Sequence, residues 1–291
     1  MIKDEPLNNV RGLQGKKLLL LKILNKLPWL ILFFTLSYIL VMYFFSYMID
    51  FKGSDLLGLG TWLEKVRPGY PLFWIYAFTE GSPTEHIQWT FIGVSLVLAA
   101  ACFFVNRYFI KKISWGWLLL VLGLALMLGE DYYNIRHKTV DFIANYYNIS
   151  PATMFSFLHL RTLVELVLYF LLGLLMVMAL LLILKDREES GRGKKLLVTG
   201  YFFYALASIS SATRGIGNWY ARVGDFLLGD NKIRMASLVT ESPYRGNLGF
   251  YFMDFVWEEP LELLGATFIV ASLLVFLIYR TNKGQIHIDK R

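Results

Sequence analysis

The sequence predicts an all-α fold: a polytopic bundle of six transmembrane helices, both termini cytoplasmic, forming one integral membrane domain over residues 1–291. Three observations predict it. The composition is 56% hydrophobic and 18% charged with mean hydropathy +0.49, whereas a soluble domain carries about 25% charged residues. The charges are confined to short segments between apolar runs, which excludes a disordered chain, a collagen-like chain and an ordinary soluble enzyme. Finally, the basic residues alternate between the two sides of those runs.

Six charge-free stretches are long enough to cross a hydrocarbon core of about 30 Å: residues 27–49, 87–106, 113–129, 166–184, 196–213 and 263–279. Each must be helical, because lipid offers no partner to backbone N–H and C=O groups. The first follows a cytoplasmic segment, 1–26, and is too long for a cleaved signal sequence, so it reads as a retained anchor. Segments on the N-terminal side hold 18 basic and six acidic residues, a net of +12, and the rest of the chain holds 11 basic and 16 acidic, a net of −5. That asymmetry places both termini in the cytoplasm. The net charge of +7 then reflects topology and anionic headgroups, with no nucleic-acid partner required. The basic stretch 185–195 reads as a solvated hairpin.

Three long outer segments remain: 50–86, 130–165 and 214–262. Long ordered loops are where function concentrates. The aromatic stretch 73–78 suits the headgroup level. Ser150-Pro151 reads as the start of the fourth helix, and Arg214-Gly215-Ile216-Gly217-Asn218-Trp219-Tyr220 reads as partly interfacial. No internal repeat of the kind many transporters show is visible.

Ionisable residues gather at the outer helix ends. Glu80, Glu85 and His86 precede the second span, and Glu130, Asp131, Arg136 and His137 follow the third. His159, Arg161 and Glu165 open the fourth, Arg214 leaves the fifth, and Asp254, Glu258, Glu259 and Glu262 open the sixth. If the helices bundle, these groups form a polar chamber, and ionisable groups at membrane depth are functional candidates. Glu130 and Asp131 stand out, because adjacent acids at a helix C-terminus oppose the dipole and need a cation or an arginine. Structural readings stand beside the functional ones. Glu258, Glu259 and Glu262, with Pro260 in a first helical turn, would complement a helix N-terminus, Glu262 as a capping-box residue. Arg161 and Glu165 would neutralise each other as an i,i+4 pair, and the histidines would be satisfied by water or carbonyls.

Thr79-Glu80-Gly81 with Glu85, Gly129-Glu130-Asp131, and Glu258-Glu259-Pro260-Leu261-Glu262 running into Leu263-Leu264-Gly265 together resemble a group of polytopic prokaryotic membrane proteins carrying three such acidic segments in this order. Asp131 stands where that group has a second Glu, and Tyr132-Tyr133-Asn134 where it has a Ser-Trp-Gly run. The resemblance implies a prokaryotic multi-pass membrane protein and brings no activity with it.

The single cysteine, Cys102, lies in an apolar run, so no intramolecular disulfide and no zinc pattern exist. Nucleotide-binding and hydrolase motifs are absent, and neither a nucleotide nor a haem is expected. A divalent cation is the one cofactor the acids suggest, with His137, His159 and Glu130 as candidate ligands. Three functions follow. The first is a non-catalytic membrane subunit or assembly factor in the cytoplasmic membrane, its acids serving as ion-pair glue to Arg136, Arg161 and Arg214, with the lipid bilayer and other membrane subunits as partners. The alternative is a membrane-embedded enzyme using Glu130, Asp131, Glu258 and Glu262 on a lipid-phase substrate. A transporter is third, because the spans are uncharged at their centres.

Overall fold

The computed structural model describes residues 7–79, 81–110, 113–150, 154–155, 158–241 and 243–288, and side chains over the narrower ranges 23–79, 81–108, 113–150, 159–241, 243–281. Its helices are α1 (Leu7–Ser46), α2 (Leu59–Val66), α3 (Phe73–Phe78), α4 (Pro83–Val105), α5 (Trp115–Tyr133), α6 (Ile135–Tyr147), α7 (Leu160–Lys185), α8 (Gly191–Thr213), α9 (Trp219–Leu228), α10 (Asn231–Leu238), α11 (Leu248–Phe252) and α12 (Glu259–Ile288). Six helical stretches are long and apolar enough to cross a membrane, and the chain is an all-α polytopic bundle.

Helix α12 is the axis of the bundle. Of the apolar window of its stretch, 67% is buried, against 17% for α7, so α7 forms the rim and turns most of its surface to lipid. Ala266, Ile269, Leu273 and Phe276 of α12 join Ile92 and Ala99 of α4, Trp117, Leu120 and Leu124 of α5, Met176 and Ile183 of α7 and Leu197 of α8 in the main core. Helices α8 and α12 touch backbone to backbone: a Cβ at Gly200 would stand 3.0 Å from the Gly265 carbonyl oxygen.

The helices extend beyond the charge-free runs, because a turn of polar residues continues a helix wherever tertiary partners satisfy it. Helix α1 begins at Leu7, inside the segment expected to precede the first span. The helix of the fourth span begins at Leu160, with His159 as its N-cap; Pro151, where a helix start is expected ahead of that span, lies outside the described residues. The largest correction concerns the sixth. Helix α11, a π-helical turn (Met253–Glu258) and α12 follow one another without a break, every joint in right-handed helical conformation. Glu258, Glu259 and Glu262 therefore face no free N-terminus and cap nothing; they lie inside one continuous helix with a π segment, a feature that recurs at functional sites.

At the end of the bundle where α4 begins, α2, α3 and α9 to α11 fold over the helices around a second core that includes Leu63, Phe73, Trp74, Phe78, Met235 and Phe252. The aromatic stretch expected at headgroup level is thus turned inward: Trp74, Ile75 and Phe78 are fully buried. Its first turn shows why. Leu72 precedes α3 and cannot cap it, so the buried Asp50 carboxylate accepts from Phe73 N (2.8 Å) and Trp74 N (2.9 Å) instead. At the other end the hairpin between α7 and α8 is not wholly solvated. Glu189 is buried and pairs with Arg280 of α12, whose guanidinium also donates to the Cys102 carbonyl (2.7 Å) and lies 4.6 Å from the centre of the Trp117 ring.

Candidate functional site: an acid-walled chamber

Four helix ends converge beside the second core. Ser82 caps α4: its hydroxyl accepts from Glu85 N (3.3 Å), Pro83 occupies the first turn, and the Glu85 carboxylate reaches back to Gly81 N, a close relative of the capping box. One turn on, Gln88 projects from the same face. Its Nε2 donates to Glu262 Oε2 at 2.6 Å and stands 3.4 Å from Asp131 Oδ2, joining α4, α5 and α12. Asn134, left-handed at φ 50°, turns α5 sharply into α6, and this returns Arg136 onto Glu130, with which it forms an ion pair.

The walls enclose a cavity of about 350 Å³ lined by six carboxylates (Glu85, Asp131, Asp254, Glu258, Glu259 and Glu262), two guanidinium groups (Arg136 and Arg214), and Gln88, Trp89, His137 and Ser211. A second cavity of about 520 Å³ shares His137, Arg214, Asp254 and Phe255 with the first and adds Thr79, Arg161, Thr162 and Glu165. Arg214 stands between the two, 2.7 Å from Asp254 and 3.7 Å from Glu165. Burial opposes its charge, but Asp254, Glu258 and Glu165 outweigh that and hold its pKa above the ordinary arginine value. Arg136 behaves alike: burial works against it, and Glu130, Glu262 and Asp131 raise its pKa nonetheless.

The expected ion pairs form. Arg161 Nε lies 3.1 Å from Glu165 Oε1, and all three arginines proposed as glue hold an acid. Glu130, expected with Asp131 as a pair, is engaged by Arg136, whereas Asp131 shares Gln88 with Glu262. His137 Nδ1 lies 2.6 Å from Arg161 Nη2 and must be neutral to accept from it; burial, then Arg161, push its pKa down to about 4. His159 is exposed at the start of α7 and lines neither cavity. Glu80 lies outside the described residues. Among the described residues no group of three His, Cys, Asp or Glu side chains is arranged to hold an ion, and of the three candidate ligands His137 and Glu130 are engaged by Arg161 and Arg136.

Three contributors were not singled out from the sequence. Gln88 had one signal, an amide at the end of an otherwise apolar run. Tyr220 is fully buried and donates to Glu258 Oε2 at 2.8 Å; burial and the Glu258 charge raise its pKa. Tyr204 lies beside Gln88 with no hydrogen bond of normal geometry to its hydroxyl, and a tyrosine within an apolar helix gives no sequence signal. What fold and site define is a multi-pass helical membrane protein with an acidic chamber at one end. Comparison with protein-family models, curated proteins and solved structures finds no match.

Proposed function

We propose that this is a non-catalytic multi-pass protein of a prokaryotic cytoplasmic membrane, with both termini cytoplasmic, whose chamber opens outward and binds a positively charged polyatomic group offered by a ligand or a neighbouring subunit. The observation that carries this is the charge of one cavity, six carboxylates against two guanidinium groups, an excess that a bound cation would neutralise. Divalent ions need oxygens converging to within about 2.0–2.6 Å of one point. Here the acids surround a volume, which favours a polyatomic cation over a bare ion. The three acidic segments behind the family resemblance all contribute to this wall, which supports treating them as one site, and the excess of lysine and arginine on the opposite side supports the orientation. A second reading, acid/base catalysis, is favoured by Gln88 holding Asp131 and Glu262 at one place.

The test is thermal unfolding of the purified protein in detergent with ethylammonium chloride or sodium chloride at equal ionic strength. Stabilisation by ethylammonium alone, lost in Glu262→Gln and Glu259→Gln, is the expected result. Equal midpoints in the two salts would overturn the proposal.

A further inference from the structure

Four enclosed polar atoms on residues lining the chamber have no hydrogen-bond partner: Gln88 Oε1, on a side chain only 1% exposed, Glu259 Oε2, Trp89 Nε1 and Arg136 Nη1. Two are acceptors and two are donors, so a group that completes them must both donate and accept. A simple cation leaves Arg136 unsatisfied, and a simple anion meets six carboxylates. An ammonium and a phosphate a few ångströms apart on one molecule suit both.

Arg136 belongs to a second recess as well. With Glu130 it borders an apolar cleft of about 210 Å³ between α5, α6 and α7, which includes Leu126, Leu168 and Leu171. Through Tyr169 and Leu172 this cleft meets an apolar groove of about 350 Å³ between α7 and α8. The groove's rim residues Phe170 and Ile209 are 68% and 62% exposed, so in a membrane it faces the acyl chains. Arg136 and Tyr169 stand on the boundary between the polar and apolar spaces. The guanidinium lies 4.7 Å from the centre of the Tyr169 ring, and Tyr169 donates to Ser211 Oγ at 3.0 Å, on the chamber wall.

We infer that the site takes a lipid with a phosphoethanolamine-type headgroup, its ammonium among Gln88, Glu259 and Glu262, its phosphate on Arg136, and its hydrocarbon along the cleft and groove beside α7. This rests on the reading of the chamber as a cation site and adds the anion and the chain.

The experiment is native mass spectrometry of the full-length protein in detergent, with phosphatidylethanolamine competing against phosphatidylcholine and phosphatidic acid, beside thermal shifts with free phosphoethanolamine and ethylammonium. Phosphatidylethanolamine should be retained about tenfold over both competitors, since choline has no N–H to donate, phosphatidic acid has no cation, and a charge-assisted bond is worth about that factor. Gly173→Leu introduces a side chain into the groove where a Cβ meets nothing within 4 Å, so folding is preserved. It should cut phosphatidylethanolamine retention while the protein still responds to free phosphoethanolamine. Equal retention of phosphatidylethanolamine and phosphatidic acid would overturn the inference. So would stabilisation by ethylammonium with no lipid preference, an outcome that leaves the cation site standing. No response to either soluble amine would remove both.

Discussion

Gln88 donates to Glu262 at 2.6 Å and lies 3.4 Å from Asp131, so one amide on α4 ties the acid of α5 to that of α12. Its own carbonyl oxygen is left without a partner in a fully enclosed position. Some of the acids around it are held by arginines, as Glu130, Glu165 and Asp254 are, and others, such as Glu259, face the cavity with no arginine on them; the two kinds should respond oppositely to neutralisation.

Glu165 is of the first kind. Its side chain is 5% exposed and serves Arg161 and Arg214, so Glu165→Gln weakens the charge-assisted contacts of a buried side chain and should lower stability by about 1–3 kcal/mol. Glu130→Gln, which strips Arg136 of its partner, should act in the same direction. Glu259→Gln removes a carboxylate from among its own kind and should leave the melting temperature unchanged or raise it. Thermal unfolding of the three single variants in detergent checks this; a loss at Glu259 equal to that at Glu165 would erase the distinction.

His137 gives the chamber mouth a pH dependence. Its folded pKa of about 4 lies below its ordinary value of 6.5, so the unfolded chain takes up the proton first. The stability associated with neutral His137 is therefore complete above pH 6.5 and is lost as pH falls toward 4. Protonation also ends its acceptance from Arg161. The melting temperature of His137→Gln should decline less than that of the parent across this window, and parallel curves would contradict the assignment.

At the opposite end, Glu189 and Arg280 form an ion pair whose side chains are 4% and 2% exposed. Removing one partner of a buried pair costs about 3–5 kcal/mol, so Glu189→Gln should be the most destabilising single neutralisation in the protein. Unfolding midpoints of Glu189→Gln and Glu165→Gln, measured side by side, decide it.

Backbone contact holds the covering helices in place. A Cβ on Gly224 of α9 would overlap the Gly249 carbonyl of α11, and Tyr220, one turn earlier on α9, is the donor to Glu258. Gly224→Ala should cost about 1–3 kcal/mol through overpacking. Thermal unfolding in detergent checks this, and an unchanged midpoint would show that α9 tolerates the added methyl group.

Much of this fold is legible in the sequence because burial in lipid acts on whole helices. Residues 87–106 and 166–184 carry no charge, and that alone fixes two spans. Side-chain direction is another matter. Phe73 to Phe78 has the composition of a headgroup belt, and only the capping of α3 by Asp50, 23 residues away in sequence from Phe73, turns it into core. Glu189 sits in a run of charges that reads as solvated, and a single arginine on α12 draws it inside. The chamber's acids were visible because they end apolar runs. Which were paired was not, since Glu130 and Asp131 are neighbours in sequence and differ only in which helix each one faces. Tyr204 leaves no trace, because a tyrosine in an apolar helix is compatible with core, lipid face or site, and Tyr220 shows only as the end of the interfacial segment 214–220, with nothing to mark it as the partner of Glu258.

In the proposed function the chamber opens outward and attracts cations. One thiol on the wall, Tyr132→Cys in a Cys102→Ala background, labelled in intact cells with membrane-impermeant methanethiosulfonates of opposite charge, measures both properties. Tyr132 lines the cavity, is 62% exposed and is not one of its acids, so the thiol is reachable and the field is preserved. Clefts walled by one sign of charge raise the encounter rate of the opposite sign by about tenfold or more. The trimethylammonium reagent should therefore label from outside at least about tenfold faster than the sulfonate, and Glu262→Gln should narrow the ratio. Equal rates for the two reagents would contradict a cation-attracting chamber, and labelling only after the cells are permeabilised would contradict its outward opening.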